Sequence, residues 1–131
     1  MSFENYHDNL IVERVFNNDC EPICKDFVSF CKKQLNIHDR VKIKFLKEHD
    51  PNITTGCYIP MTREIRVLVK DRGLIDILRS IAHEMVHQKQ HLNDELDENS
   101  GRDGSDHENE AHAKAGLIMR LYQAENKDKI Y

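Results

Sequence analysis

Residues 71–92, DRGLIDILRSIAHEMVHQKQHL, constrain this chain more than any other stretch. Leu74, Ile77, Leu78, Ile81, Ala82 and Met85 recur at helical spacing, which predicts an amphipathic helix with one apolar stripe bound for a core. The same helix carries His83 and His87, four residues apart and therefore on one face, one turn above each other. Glu84 is offset from His83 by ~100°. Two imidazoles so placed can face a single zinc ion. The carboxylate can lie beside the metal without ligating it, which suits a base acting on metal-bound water. With eight histidines in 131 residues, such a motif can arise by chance, so its context decides.

That context is an α+β pattern. EPICKDFVSFCKKQL (21–35) reads as a helix, with Pro22 in the first turn, Ile23, Phe27, Phe30 and Cys31 at helical spacing, and Lys32 and Lys33 near the end. VKIKFLK (41–47) and REIRVLV (63–69) alternate apolar and polar residues as half-buried strands do. ITTGCYI (53–59) is rich in strand formers but interrupted by Gly56. The short spacings predict antiparallel hairpins and a small, mainly antiparallel sheet of three to four strands, with the helices against one face. A last helix is expected from about His107 to Glu125. Residues 1–20 are open, since NLIVERVF suits a helix or a strand. Residues 93–106, NDELDENSGRDGSD, have the composition of a mobile acidic loop, able to act as a lid. Asp97, Asn99, Asp103 and Glu108 sit at positions one, three, seven and twelve of a calcium-loop frame, but Arg102 stands where that loop needs glycine.

Size and charge narrow the class. The length suits one domain spanning 1–131. The net charge is −4 and no stretch is a basic cluster, so no nucleic acid partner is expected. No apolar run approaches the ~18–20 residues of a membrane span, and MSFENYHDNL lacks an apolar leader core, so a cytoplasmic protein with no membrane partner is expected. Cys20, Cys24, Cys31 and Cys57 form no CxxC pair, which excludes a zinc ribbon and leaves reduced thiols, the first three as small apolar filler in a helix.

A catalytic zinc site needs a third protein ligand and an open position. A histidine six residues after His87, following a glycine, would supply it in one pattern, but Asn93 and Gln90 occupy those places. His91 lies ~12 Å of helical rise from His83, too far to share its ion, and is expected at the rim of the cleft or in solvent. HENEAHAKAG (107–116) offers Glu108, with Glu110, His107 and His112 as the alternatives.

His83-Glu84-x-x-His87 on one helix, followed by Glu108-Asn109-Glu110-Ala111 on the next, resembles the gluzincin type of zinc metallopeptidase. It is also similar to minigluzincins and small phage-type proteins, in which HEMVHxxQ is followed by ExEA. The resemblance spans roughly residues 53–122, and the two motifs are its specific parts. It implies a minimal zincin-like fold, one zinc ion held by His83, His87 and Glu108, and a small soluble endopeptidase with Glu84 as general base. Ala111 would let the two helices approach closely. The family also implies a peptide or protein substrate lying antiparallel along an edge strand. Gly56 and Cys57 mark the candidate strand, and Cys57 could alternatively block zinc as a thiolate. Tyr58 is a candidate oxyanion donor or a core residue. One departure stands out. The family has Asp or Asn four residues after the glutamate, supporting a ligand histidine, and this chain has His112. His112 would either give weaker support or, with His107 as an alternative, polarise a substrate carbonyl. The competing readings are a catalytically inactive protein-binding or regulatory module on the same fold, and hydrolysis of another amide.

Overall fold

The computed structural model describes residues 8–11, 20–51, 53–94 and 105–126. Within them the order is β1 (Asp8–Ile11), α1 (Cys20–Leu35), β2 (Val41–Leu46), β3 (Gly56–Ile59), β4 (Glu64–Leu68), α2 (Leu74–Leu92) and α3 (Asp106–Glu125). The fold is α+β, but the expectation of a mainly antiparallel sheet is corrected. The strands are ordered β1-β2-β4-β3. β1 pairs with β2 and β2 with β4 in parallel, and β3 with β4 is antiparallel.

Burial explains the order. β4 has Ile65 and Val67 in the core and also buries Glu64 and Leu68, so it is shielded from both faces and takes an interior place. β3 is half-buried at every position and forms an edge. The stretch 47–55 between β2 and β3 is longer than the two to five residues typical of a hairpin loop. It carries the chain past the neighbouring position, and the tight turn 60–63, with Arg63 at φ 55°, brings β4 back between them. On β2 the alternation holds: Val41, Ile43 and Phe45 join the core, and Lys42 and Lys44 lie on the opposite face.

The helices cover the apolar face. α1 buries Cys24, Phe27, Val28, Cys31 and Leu35, so two of the cysteines do fill the core. It ends at Asn36, in the left-handed region at φ 56°, with Ile37 N–H bonding Lys32 O at 2.9 Å and Asn36 N–H bonding Lys33 O at 3.4 Å. This pair of bonds satisfies carbonyls that a helix end otherwise leaves open. α3 meets the core through Ala111, Ala115, Ile118, Met119 and Tyr122. The Tyr122 ring packs edge-on against Phe27 at 4.9 Å, and its hydroxyl donates to Asp26 Oδ2 at 2.7 Å, joining α3 to α1. No helix among the described residues is long and apolar enough to cross a membrane. Of the expected acidic loop, residues 95–104 lie outside the described residues, and with them Asp97, Asn99 and Asp103.

Candidate metal centre

Arg72, just ahead of α2, sets how that helix meets the sheet. Its guanidinium donates to Leu68 O at 2.7 Å, Thr55 O at 3.2 Å, Asp76 O at 3.0 Å and Ser80 Oγ at 2.6 Å. These bonds tie the ends of β3 and β4 to the first turns of α2. The apolar stripe of α2 turns into the core at Ile77, Leu78, Ile81, Ala82 and Met85. His83 and His87 then fall on an adjoining face, their ring centres 5.0 Å apart and their planes 78° to each other.

The third group arrives from α3. Ser105 caps that helix, its Oγ accepting from Glu108 N–H at 3.1 Å. The helix therefore begins one residue earlier than expected, and Glu108 lies in its first turn. The Glu108 carboxylate reaches both histidines, with Oε1 2.6 Å from His83 Nε2 and Oε2 3.0 Å from His87 Nε2. Ala111, fully buried, gives α3 the small contact surface that close approach to α2 requires. His112 stands on the exposed side, Nε2 3.5 Å from Glu108 Oε1 and its ring 4.6 Å from that of His83. Two sets, His83 with Glu84 and His87, and His83 with Glu108 and His112, each bring donor atoms within 4.8 Å of one another.

Glu84 is buried beside them at 6% exposure, and Gly56 of the edge strand lies against it. A Cβ on Gly56 would stand 3.4 Å from Glu84 Cγ, 3.5 Å from its Oε2 and 3.0 Å from Arg66 O. The edge strand thus crosses directly over the carboxylate. Loss of hydration, and then the charge of Glu108, push the Glu84 carboxyl up to about 8. Burial, opposed by Glu108, holds the His83 imidazole below its ordinary value.

Other expected residues are placed elsewhere. Glu110 turns away from the histidines: its Oε1 accepts from Gln90 Nε2 at 2.7 Å and its Oε2 lies 3.2 Å from Lys114 Nζ. His107 contributes its backbone carbonyl, which accepts from Gln90 Nε2 at 3.0 Å. The Tyr58 hydroxyl is hydrogen-bonded to His91 Nδ1 at 2.7 Å, and burial raises the phenol to about 12, so it stays neutral. His91 is accordingly half-buried and engaged with β3. Cys57 belongs to neither donor set, since strand alternation sends Gly56 and Tyr58 toward α2 and Cys57 the other way. Burial and the charge of Glu84 raise its thiol. The residue to which the sequence assigned no role is Gln90, the last position of the HEMVHxxQ tract, 1% exposed, whose Oε1 accepts from His87 Nδ1 at 2.8 Å. Its signal was the spacing, three residues after His87 and so on the same helical face.

Two imidazole nitrogens and one carboxylate are a donor set that suits a divalent cation. Here the His83–Glu84–His87 and His83–Glu108–His112 groups could each hold one, and Glu108 meets both His83 and His87 from the second helix. No family model, curated protein or solved structure matches this chain. The chemistry of the site is therefore read from its own geometry.

Proposed function

We propose that this chain is a zinc-dependent peptide-bond hydrolase of the gluzincin type, a small endopeptidase on a minimal zincin-like fold. One observation carries the reading: His83 and His87 of α2 aim Nε2 at the same carboxylate, Glu108 of α3, while Glu84 is buried alongside. His83, His87 and Glu108 would hold the ion. Zinc in such a set supplies a Lewis acid that polarises a carbonyl and acidifies water. Glu84 takes the proton of the attacking water and later delivers it to the leaving amine. Burial raises its affinity for a proton above that of an ordinary carboxylate, and a bound dication beside it would pull that affinity back down. β3 pairs with β4 on one side and is the last strand in the sheet order, so its outer edge can bind an extended peptide through main-chain hydrogen bonds. Gly56 brings that edge close to Glu84. His112, on the exposed side of Glu108, is the imidazole best placed to meet a substrate carbonyl.

The test compares wild type, Glu108→Ala and Glu84→Gln. Metal content after purification without added metal is measured together with cleavage of a quenched peptide library. The expected result is one zinc in wild type, its loss in Glu108→Ala, and retained zinc with turnover reduced by at least ~10²-fold in Glu84→Gln. Stoichiometric zinc with no hydrolysis in wild type would instead support an inactive binding module. Undiminished hydrolysis in Glu84→Gln would reject Glu84 as the base.

A further inference from the structure

We propose that Gln90 is a positioning residue: it holds a hydrogen on His87 Nδ1, so that the Nε2 lone pair is the one presented to the cation. This rests on reading His87 as a ligand, and it names the device that orients that ligand.

The orientation of the Gln90 amide is decided by its partners. Its nitrogen faces two acceptors, His107 O at 3.0 Å and Glu110 Oε1 at 2.7 Å. A primary amide has two N–H groups, and both are used there. The atom facing His87 Nδ1 at 2.8 Å is therefore the amide oxygen, which only accepts. Nδ1 must donate, and in a neutral ring Nε2 is then bare. That bare nitrogen points at Glu108 Oε2, 3.0 Å away. A bare nitrogen and a carboxylate oxygen at this distance need a positive charge beside them, which either a shared proton or a bound cation supplies. The hydrogen-bond network thus turns the Nε2 side of His87 toward Glu108, the place where the ligand reading puts the ion.

The anchors of Gln90 add a second function. His107 and Glu110 flank Glu108 on α3, so the amide that orients one ligand also ties α2 to the turn that carries another. Glu110 is in turn paired with Lys114 at 3.2 Å. The family position four residues after the glutamate is His112 here, and its Nε2 lies 3.5 Å from Glu108 Oε1. In this chain the support of a ligand histidine comes from α2 itself.

The test uses Gln90→Met, which keeps size and removes both hydrogen-bonding functions, Gln90→Glu, which keeps an acceptor, and Glu110→Ala. Nitrogen-15 NMR of the histidine rings reports which nitrogen of His87 carries hydrogen, in metal-free protein and after zinc titration. Chelator competition gives the zinc Kd. Expected in wild type is a hydrogen on Nδ1 in both states. Gln90→Met should lose it and bind zinc about 10–100-fold more weakly. Gln90→Glu should keep it, and Glu110→Ala, on a half-exposed side chain, should weaken zinc binding in the same direction. A wild-type His87 with a bare Nδ1 would overturn the proposal, as would full zinc affinity with an unchanged Nδ1–H in Gln90→Met. If wild type binds no zinc but Gln90→Met still loses the Nδ1 hydrogen, the positioning role stands and the metal reading falls.

Discussion

Gly56 is a single missing methyl group that lets β3 lie close against the Arg66 carbonyl of β4 and alongside Glu84. Gly56→Ala would press a Cβ to 3.0 Å from Arg66 O, a backbone atom that cannot swing aside. The expected cost is about 1–3 kcal/mol by urea denaturation, with a fall in any hydrolytic rate, because β3 must shift against β4 and carry its edge with it. Unchanged stability would show that β3 does not lie this close to the Arg66 carbonyl. Glu84 itself should leave a mark on the metal-free protein. Its carboxyl is raised from an ordinary 4.5 to about 8, so between those values the folded state binds more protons than the unfolded chain. Stability from this group is complete below pH ~4.5 and is lost as pH rises through ~8. Glu84→Gln does not titrate, so its melting temperature minus that of wild type should climb from pH 5 to pH 8 in the presence of chelator. A flat difference would mean that Glu84 ionises as an ordinary carboxyl. Glu84 and its partner histidines were legible from spacing, since a helix fixes which residues share a face. The role of Gly56 was only half legible: a glycine inside a strand signals close approach, but not what approaches it.

At the scale of elements, one guanidinium decides how α2 meets the sheet. Arg72 reaches Leu68 O, Thr55 O, Asp76 O and Ser80 Oγ at once, which needs the planar fork of arginine. Arg72→Lys keeps the charge and can satisfy only part of that set. It should destabilise the protein by about 2 kcal/mol in chemical denaturation and loosen the register of α2 against β3. A change within ~0.5 kcal/mol would place the junction under the control of apolar packing alone. The strands show the limit of local reading. Alternation identified β2 and the core face of β4, but not that Glu64 and Leu68 of β4 are buried too, and it is silent on neighbours. β4 pairs in parallel with β2 because its doubly buried residues need an interior position, and the half-buried β3 is displaced to the edge. Chain order suggested hairpins: β3 and β4 form one, while β2 pairs in parallel with β4 instead of with its chain neighbour β3. For α3, the Ser105-x-x-Glu108 pattern was a start signal that sequence reading did not use.

For the whole molecule, an ion shared between α2 and α3 would make folding and metal binding one equilibrium. Zinc at a hundred times its Kd should stabilise the protein by about 2.7 kcal/mol, raising the melting temperature on the order of 10 °C. Chelator should reverse the rise, and Glu108→Ala should abolish it. An identical melting curve with and without zinc would mean that the two helices hold no ion between them. The sequence alone determined the periodicities, the helical face shared by His83 and His87, and the carboxylate candidates. These follow from covalent geometry and residue spacing, which need no knowledge of the rest of the chain. Only the tertiary structure decided the strand order and that the carboxylate of Glu108, not that of Glu110, meets both imidazoles. It also decided that Tyr58 pairs with His91, and that Gln90 stands behind His87. Each of these contacts joins segments, or selects among rotamers within one, according to what else must be buried or hydrogen-bonded nearby, and that competition is settled only when the whole chain has packed.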